Sequence, residues 1–438
     1  MRRLLALTPL LLAACGLEGT DRDSGEEQAT AGAGDTDSNG ADSMASRDPA
    51  PGERAQDELP DPEQRPIMQA QVVLDRHGFG PGVIDGRMGL STRNALEGFQ
   101  EANDLEPTGE LDEPTRQALA RWNNIAATRV VSIPEDWGST RYQPLPDDPA
   151  AQAEMQRLGY ESLDERLAER FHTTVEVLRQ LNPGGRPAGM SGSTAGEAGA
   201  SPQRTPASGG EGGSATAQRI AASATPAPRA SGSSAATSSP GATGSSGAAS
   251  RPAGAATPSA FRAGQQLRVP NVGADQIDRS AVDDRQWLGT LASLGVGTEQ
   301  PEVARLVVDK SGKWLKGYDA NDRLVATFTV TTGSENDPLP LGEWGVKGVG
   351  RNPTFAYDPA LFWDVPDSDP KQQLPPGPNG PVGVVWIDLT KEHYGIHGTP
   401  EPDTIGRAQS HGCVRLTNWD AARLAQMVDG STQVIFQA

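Results

Sequence analysis

The chain has 438 residues, enough for two or three domains, yet only 35% are hydrophobic and 51 glycines and 36 prolines dilute them, so a good part is not core. A formal net charge of −19 argues against nucleic acid as a partner and by itself names no substrate. Two cysteines, Cys15 and Cys413, make no disulfide framework expected, so each needs its own explanation.

Residues 1–15 have the form of an export signal. Arg2 and Arg3 give a charged start, Leu4 to Leu12 an apolar stretch too short to span a bilayer, and Ala13-Ala14 the small residues before a cleavage point. Leu12-Ala13-Ala14-Cys15 resembles the lipobox of bacterial lipoproteins, which implies lipidation of Cys15 and a membrane partner through the N-terminal lipid. The expected location is therefore exported and lipid-anchored, in the periplasm or cell envelope. Residues 16–62 read as an acidic disordered linker. Residues 16–63 hold 14 acidic and 3 basic side chains, a self-repelling composition.

Order begins near Glu63. Ile67, Ala70, Val73 and Leu74 recur at helical spacing, Ser91 can cap a helix carrying Ala95, Leu96 and Phe99, and Asp112 with Pro114 opens another. Thr92-Arg93-Asn94-Ala95-Leu96 recurs as Thr115-Arg116-Gln117-Ala118-Leu119, 23 residues later. Two copies are too few for a solenoid, so a small helical bundle is expected over 63–122. With Asp85-Gly86, Phe99-Gln100 and Thr108-Gly109, this stretch resembles the small all-α peptidoglycan-binding domain of bacterial wall enzymes. Residues 155–183 and 260–272 together resemble a LysM glycan-binding module split by an insertion, although Glu161-Ser162-Leu163-Asp164 stands where the module's opening pattern would be. The insertion, 184–259, is nearly all Gly, Ala, Ser, Thr and Pro, and cannot bury enough surface to offset its ordering entropy; disorder is expected.

From Glu302 the pattern turns to strands. Leu306-Val307-Val308, Leu324 to Thr331, Val384 to Leu389 and Val434-Ile435-Phe436 are rich in β-branched and aromatic residues. Thr417 followed by Asp420 gives a capping box for one late helix. Chemistry gathers between His393 and Arg415, where three of the five histidines lie with Cys413. A free thiol, with a pKa of about 8.5, is only a few per cent thiolate at neutral pH, and a neighbouring imidazole supplies the missing activation. Gly398 lets a backbone carbonyl approach and orient the His397 ring. Gly412 permits a tight turn whose amide N–H groups can stabilise an oxyanion, worth a few kcal/mol.

The pattern His397-Gly398-Thr399 followed by Ser410-His411-Gly412-Cys413-Val414-Arg415 resembles the signature of the YkuD-type L,D-transpeptidases (ErfK/YbiS/YcfS/YnhG-like), supported by Pro340 to Trp344 and Pro376 to Gly383. The resemblance covers about 302–438. It implies a mainly β, β-sandwich-like catalytic domain, hence a multidomain chain with the small all-α domain and disordered linkers upstream. It implies Cys413 as nucleophile, His397 as base held by the Gly398 carbonyl, and an oxyanion hole from the N–H groups of His411, Gly412 and Cys413. Ser410 and Arg415 would shape the turn and pocket, and Tyr394 and Trp386 would line the cleft. The implied partners are peptidoglycan stem peptides and glycan strands. The implied reaction cleaves the bond between the L-centre of stem residue three and D-alanine and forms a 3→3 crosslink. No cofactor or metal is called for.

Other readings compete. A lone cysteine in a domain is commonly a buried hydrophobe. His393 and His397 stand four apart, as in zinc helices, but Gly395 and the strand-rich context disfavour a helix and no glutamate sits inside the pair. His411 is an alternative base, disfavoured because a residue two before a nucleophile on a tight turn tends to point away. Water instead of an amine would give an L,D-carboxypeptidase or endopeptidase, a lipoprotein acceptor an attachment enzyme, and an inert catalytic domain a wall-binding scaffold. A fragment from Glu302 to Ala438 is expected to react by itself.

Overall fold

The computed structural model describes residues 59–190, 258–272, 276–362, 365–366 and 368–438. The export signal with Cys15, nearly all of the acidic linker and most of the 184–259 stretch lie outside these residues.

The N-terminal region is helical: α1 (Pro66–Arg76), α2 (Leu90–Ala102) and α3 (Glu113–Leu119), with a two-residue strand β1 (Phe79–Gly80) between the first two. Leu74, Ala95, Leu96 and Phe99 form its core. Helix α2 starts at Leu90, with Gly89 as its N-cap, so Ser91 lies inside it and does not cap it. The sequence echo has a physical cause. The buried Gln71 side chain donates to Thr92 Oγ1 and accepts from the Gly86 N–H. Buried Gln100 does the same to Thr115 Oγ1 and the Gly109 N–H. Each threonine thus ties the start of a helix to a glutamine that closes a glycine turn, where φ is +75° at Gly86 and +67° at Gly109.

A second small module pairs β2 (Thr128–Ser132) antiparallel with β3 (Gln266–Pro270), and carries α4 (Pro149–Ala153), α5 (Leu163–Arg170) and α6 (Val175–Leu181). The strand that opens this module lies at 128–132, upstream of the 155–183 segment picked out from sequence. Its Thr-Arg-Val-Val-Ser run is too short and too exposed to alternate clearly. Ser162 and Thr174 cap α5 and α6 by accepting from the backbone N–H three residues on. Met68, Val72 and Ile84 of the first region join Leu167, Phe171 and Leu178 in one core, so the two modules are packed as a unit.

The catalytic region is β-sheet-rich. Its strands are β4 (Arg305–Asp309), β5 (Trp314–Tyr318), β6 (Leu324–Thr329), β7 (Gly342–Arg351), β8 (Phe355–Tyr357), β9 (Gln372–Leu374), β10 (Val385–Leu389), β11 (Gly395–His397), β12 (Val414–Arg415) and β13 (Gln433–Gln437). Helices α7 (Arg285–Leu294) and α8 (Asn418–Leu424) complete it. Nine strands form one mixed sheet in the order β1-β6-β5-β4-β13-β7-β10-β11-β12. Ten-residue β7 serves two leaves: Gly342 to Gly345 pairs with β13, and Val346 to Arg351 with β10. A backbone pair between Thr331, just past β6, and Arg415 of β12 joins the leaves at the far side.

The upstream modules are built into this sheet. Strand β1 extends it by pairing parallel with β6, Phe79 beside Thr327. Gly98 brings α2 so close to β6 that a Cβ there would lie 2.2 Å from Thr327 Oγ1. Helix α7, upstream of Glu302, is part of the catalytic core: Trp287, Leu291 and Leu294 are fully buried among Leu306, Phe328 and Val434. At the meeting of all three regions, His172 places Nδ1 3.0 Å from Asp75 and Nε2 2.9 Å from the Leu294 carbonyl, and stacks on Trp419 at 4.9 Å. Burial opposes ionisation of Asp75, but the His172 ring and the Arg423 guanidinium outweigh it and hold the carboxyl well below the usual range.

Two predictions follow from this packing. A fragment starting at Glu302 lacks Trp287, Leu291 and Leu294, each worth about 1.5–3 kcal/mol of burial, against a domain stability of about 5–15 kcal/mol. It is expected to aggregate or melt without a cooperative transition in circular dichroism, contrary to the expectation that it reacts by itself. Separately, burial pushes Glu169 from its ordinary 4.5 up to about 7, against hydrogen bonds from Tyr160 and Asn418. Between these pH values the unfolded chain has released a proton that the folded chain retains, so stability falls as pH rises through the window, by up to about 3 kcal/mol. Glu169→Gln removes that loss, and its Tm advantage over the wild type is expected to grow from pH 5 to pH 8.

Candidate active site

Strand β11 is buried throughout and sits between β10 and β12. Its parallel register with β12 places Ile396 beside Val414 and His397 beside Arg415. Cys413, one residue before β12, therefore falls beside Gly395. Since side chains two apart share a face, Cys413, Arg415 and His397 emerge on one side of the sheet. Gly395 contributes no side chain there, and the space is taken: a Cβ on Gly395 would lie 2.5 Å from the Trp386 ring. That ring stacks on the His397 imidazole with centroids 5.6 Å apart.

His397 is buried at 4% exposure. Its Nδ1 lies 2.7 Å from the Gly398 carbonyl oxygen, which can only accept, so Nδ1 carries the proton and Nε2 keeps its lone pair. Burial pushes the imidazole down to about 3, and the Arg415 charge adds to the effect against the opposing Gly398 carbonyl. The Cys413 thiol is pushed up by burial, opposed by the Gly395 backbone and by Arg415. The Sγ–H donates weakly to the His393 carbonyl at 3.8 Å. The resting pair is thus a neutral thiol and a neutral imidazole.

The turn leading into Cys413 is held on both sides. Ser410 Oγ donates to the Cys413 carbonyl at 2.6 Å, the Ser410 N–H donates to Thr332, and the Ser334 N–H donates to Ser410. The Arg415 N–H donates to the Thr331 carbonyl at 2.8 Å, and Thr331 returns the bond at 3.1 Å. Gly412 has φ +99°, in the left-handed region, and a Cβ there would press 2.7 Å from the Tyr394 ring. Tyr394 and Trp386 therefore flank Gly412 and His397 respectively. The His411 ring packs perpendicular to the Phe362 ring with centroids 5.0 Å apart. His393 is surface-exposed, near Glu392. Among the described residues, no group of three or more His, Cys, Asp or Glu could hold a metal ion.

Sequence reasoning missed the support behind this face. Asn418 is fully buried, its Oδ1 accepts from the Val384 N–H, and a Cβ on Gly398 or Gly383 would fall 2.2 or 1.9 Å from that oxygen. Only the glycines of Gly398 and Pro381-Val382-Gly383 hinted at so close an approach. Elsewhere, a cavity of about 450 Å³ opens where the three regions meet, lined by Arg87, Leu90, Glu176 and Arg407 among others; neither Cys413 nor His397 reaches it.

The L,D-transpeptidase catalytic domain family YkuD matches residues 304–436, and the peptidoglycan binding domain family matches residues 63–119. Over 140 residues the chain is 35% identical to the L,D-transpeptidase YkuD of Bacillus licheniformis, covering 32% of this chain and 69% of that protein. The chain belongs to the YkuD family of L,D-transpeptidases. The Bacillus subtilis member of the family is 33% identical over 114 residues, covering 26% of this chain and 54% of its own length. Among solved structures, L,D-transpeptidase 3 from Mycobacterium tuberculosis overlaps 33% of this chain and 62% of its own at 20% identity, with a TM-score of 0.26. The catalytic domain of the E. faecium L,D-transpeptidase overlaps 32% and 99% at 18% identity, with a TM-score of 0.24.

In this member of the family, alkylation of Cys413 by iodoacetamide in the free enzyme is expected to be slow at pH 7. It should rise with pH to a midpoint above the value of about 8.5 for a free thiol. A flat, fast profile from pH 5 upward would instead reveal a preformed thiolate–imidazolium pair.

Proposed function

We propose that the protein is a peptidoglycan L,D-transpeptidase that works through a Cys413 acyl-enzyme. The observation that carries this reading is the β11–β12 register. It puts Cys413 and the proton-free Nε2 of His397 on one face, with Nδ1 already committed to Gly398. As Sγ attacks the carbonyl of stem residue three, its proton passes to Nε2. The oxyanion is received by the N–H groups of His411, Gly412 and Cys413 on the positive-φ turn. Collapse breaks the C–N bond, Nε2 returns the proton to the departing amine of D-alanine, and a thioester remains. An amine from a second stem then attacks the thioester, His397 takes its proton, and the thiol is regenerated with a 3→3 crosslink formed. Starting from a neutral pair, the imidazole acts as a general base during attack, and burial keeps it from being protonated beforehand.

The upstream regions support a wall-anchored enzyme. The helical region belongs with peptidoglycan binding domains. Apart from the short α4, the β2–β3 pair and the two capped helices α5 and α6, with an insertion between α6 and β3, support reading this module as LysM-like. Export and lipid attachment at Cys15, placing the enzyme in the cell envelope, complete the reading.

The test is mass spectrometry of the soluble protein with purified tetrapeptide stems. The wild type is expected to yield a 3→3 dimer and D-alanine, Cys413→Ala neither, and His397→Ala a rate lower by about 10²–10⁴-fold. Tripeptide without dimer would assign water as the acceptor, and turnover by Cys413→Ala would remove the acyl-enzyme altogether.

A further inference from the structure

We propose that Glu169, on α5 of the module upstream of the catalytic region, is a positioning residue for His397, acting through Asn418. The proposal rests on the reading of Cys413 and His397 given above.

Asn418 is the first residue of α8 and its amide is fully committed. Nδ2 donates to Glu169 Oε1 at 2.7 Å and to the Pro378 carbonyl at 3.0 Å. Oδ1 accepts from the Val384 N–H at 3.2 Å. That same oxygen is wedged against the backbone of Gly383 and Gly398, at distances only a glycine tolerates. The Gly398 carbonyl in turn receives the His397 Nδ1 proton. A continuous path of contacts therefore runs from a carboxyl oxygen in one module to the tautomer and tilt of the imidazole in another.

Direction matters along this path. An amide can flip, exchanging its oxygen and nitrogen at little steric cost. Flipped, Asn418 would set two donors against the Val384 N–H and press an NH₂ group on Gly398. Two acceptors stand on the correct nitrogen side, Glu169 and Pro378, and Glu169 is the one whose side chain can be changed without touching the catalytic region. Both partners are buried, Asn418 at 0% and Glu169 at 8% exposure, so water does not replace the lost acceptor readily. The module thus contributes to the site from behind, through Glu169.

The experiment uses the full chain and reads two quantities: kcat and KM with tetrapeptide stems, and the His397 Nδ1–H resonance by NMR. Glu169→Ala and the volume-keeping Glu169→Leu are expected to lower kcat at least tenfold with KM within twofold, and to move the resonance upfield. Glu169→Gln, whose carbonyl still accepts from Asn418, should stay within threefold of the wild type with the resonance in place. Asp75→Asn, which weakens the same module junction away from Asn418, should lower Tm and leave both readouts unmoved. The proposal is overturned if Glu169→Leu keeps the wild-type kcat and resonance, if Glu169→Gln is as damaged as Glu169→Leu, or if Asp75→Asn loses kcat in step with Tm. Turnover by Cys413→Ala would overturn the nucleophile assignment, while the His397 resonance would still report on Glu169.

Discussion

Helix α8 has no solvent face: all seven of its residues are buried. A short helix carrying Asp420 and Arg423 cannot be enclosed without partners for both charges, because an unpaired buried charge costs several kcal/mol. Asp75 supplies one partner from the first helix, and Thr417 bonds Asp420 from the helix's own cap. His172 fills the gap between Asp75 and Trp419. The three regions are packed together because α8, which follows β12 in the chain, needs all of them. Burial still raises Asp420 to about 6, with Asp75 adding to it against Arg423. The solution is therefore serviceable and not free of cost.

The same enclosure governs the chemistry. Burial acts on thiol and imidazole in opposite senses, and both act against charge. Both groups therefore rest uncharged; on the proposed function, proton movement waits until a substrate carbonyl is present to accept the electron pair. Arg415, beside both groups, disfavours an imidazolium and favours a thiolate, so it tilts the balance toward sulfur bearing charge.

Much of this was legible in the sequence, and the reasons differ by element. Cys413, His397, Gly398 and Gly412 could be picked out together because a thiol, an imidazole and two glycines sit within a short run, and β11 and β12 bring that run together. The strands around Val307, Phe328 and Ile387 followed from β-branched composition. Strand β2 was invisible, since Thr128–Ser132 gains its identity only from pairing with β3 more than a hundred residues later. Helix α7 drew no reading from the sequence because its apolar stripe of Trp287, Leu291 and Leu294 is brief, and only tertiary packing shows which core it fills. The Glu169–Asn418 contact spans 249 positions, and nothing local in either helix foretells it.

By lending Phe79 and Gly80 to the edge of the catalytic sheet, the helical region gives up any independent swing. On the proposed function, the glycan-gripping surface and the nucleophile are then two fixed marks on one gauge. A strand of wall held by the first would offer to the second only those stems lying at a set distance and rotation along its length. Crosslink spacing would thereby be read from the ruler of the enzyme itself.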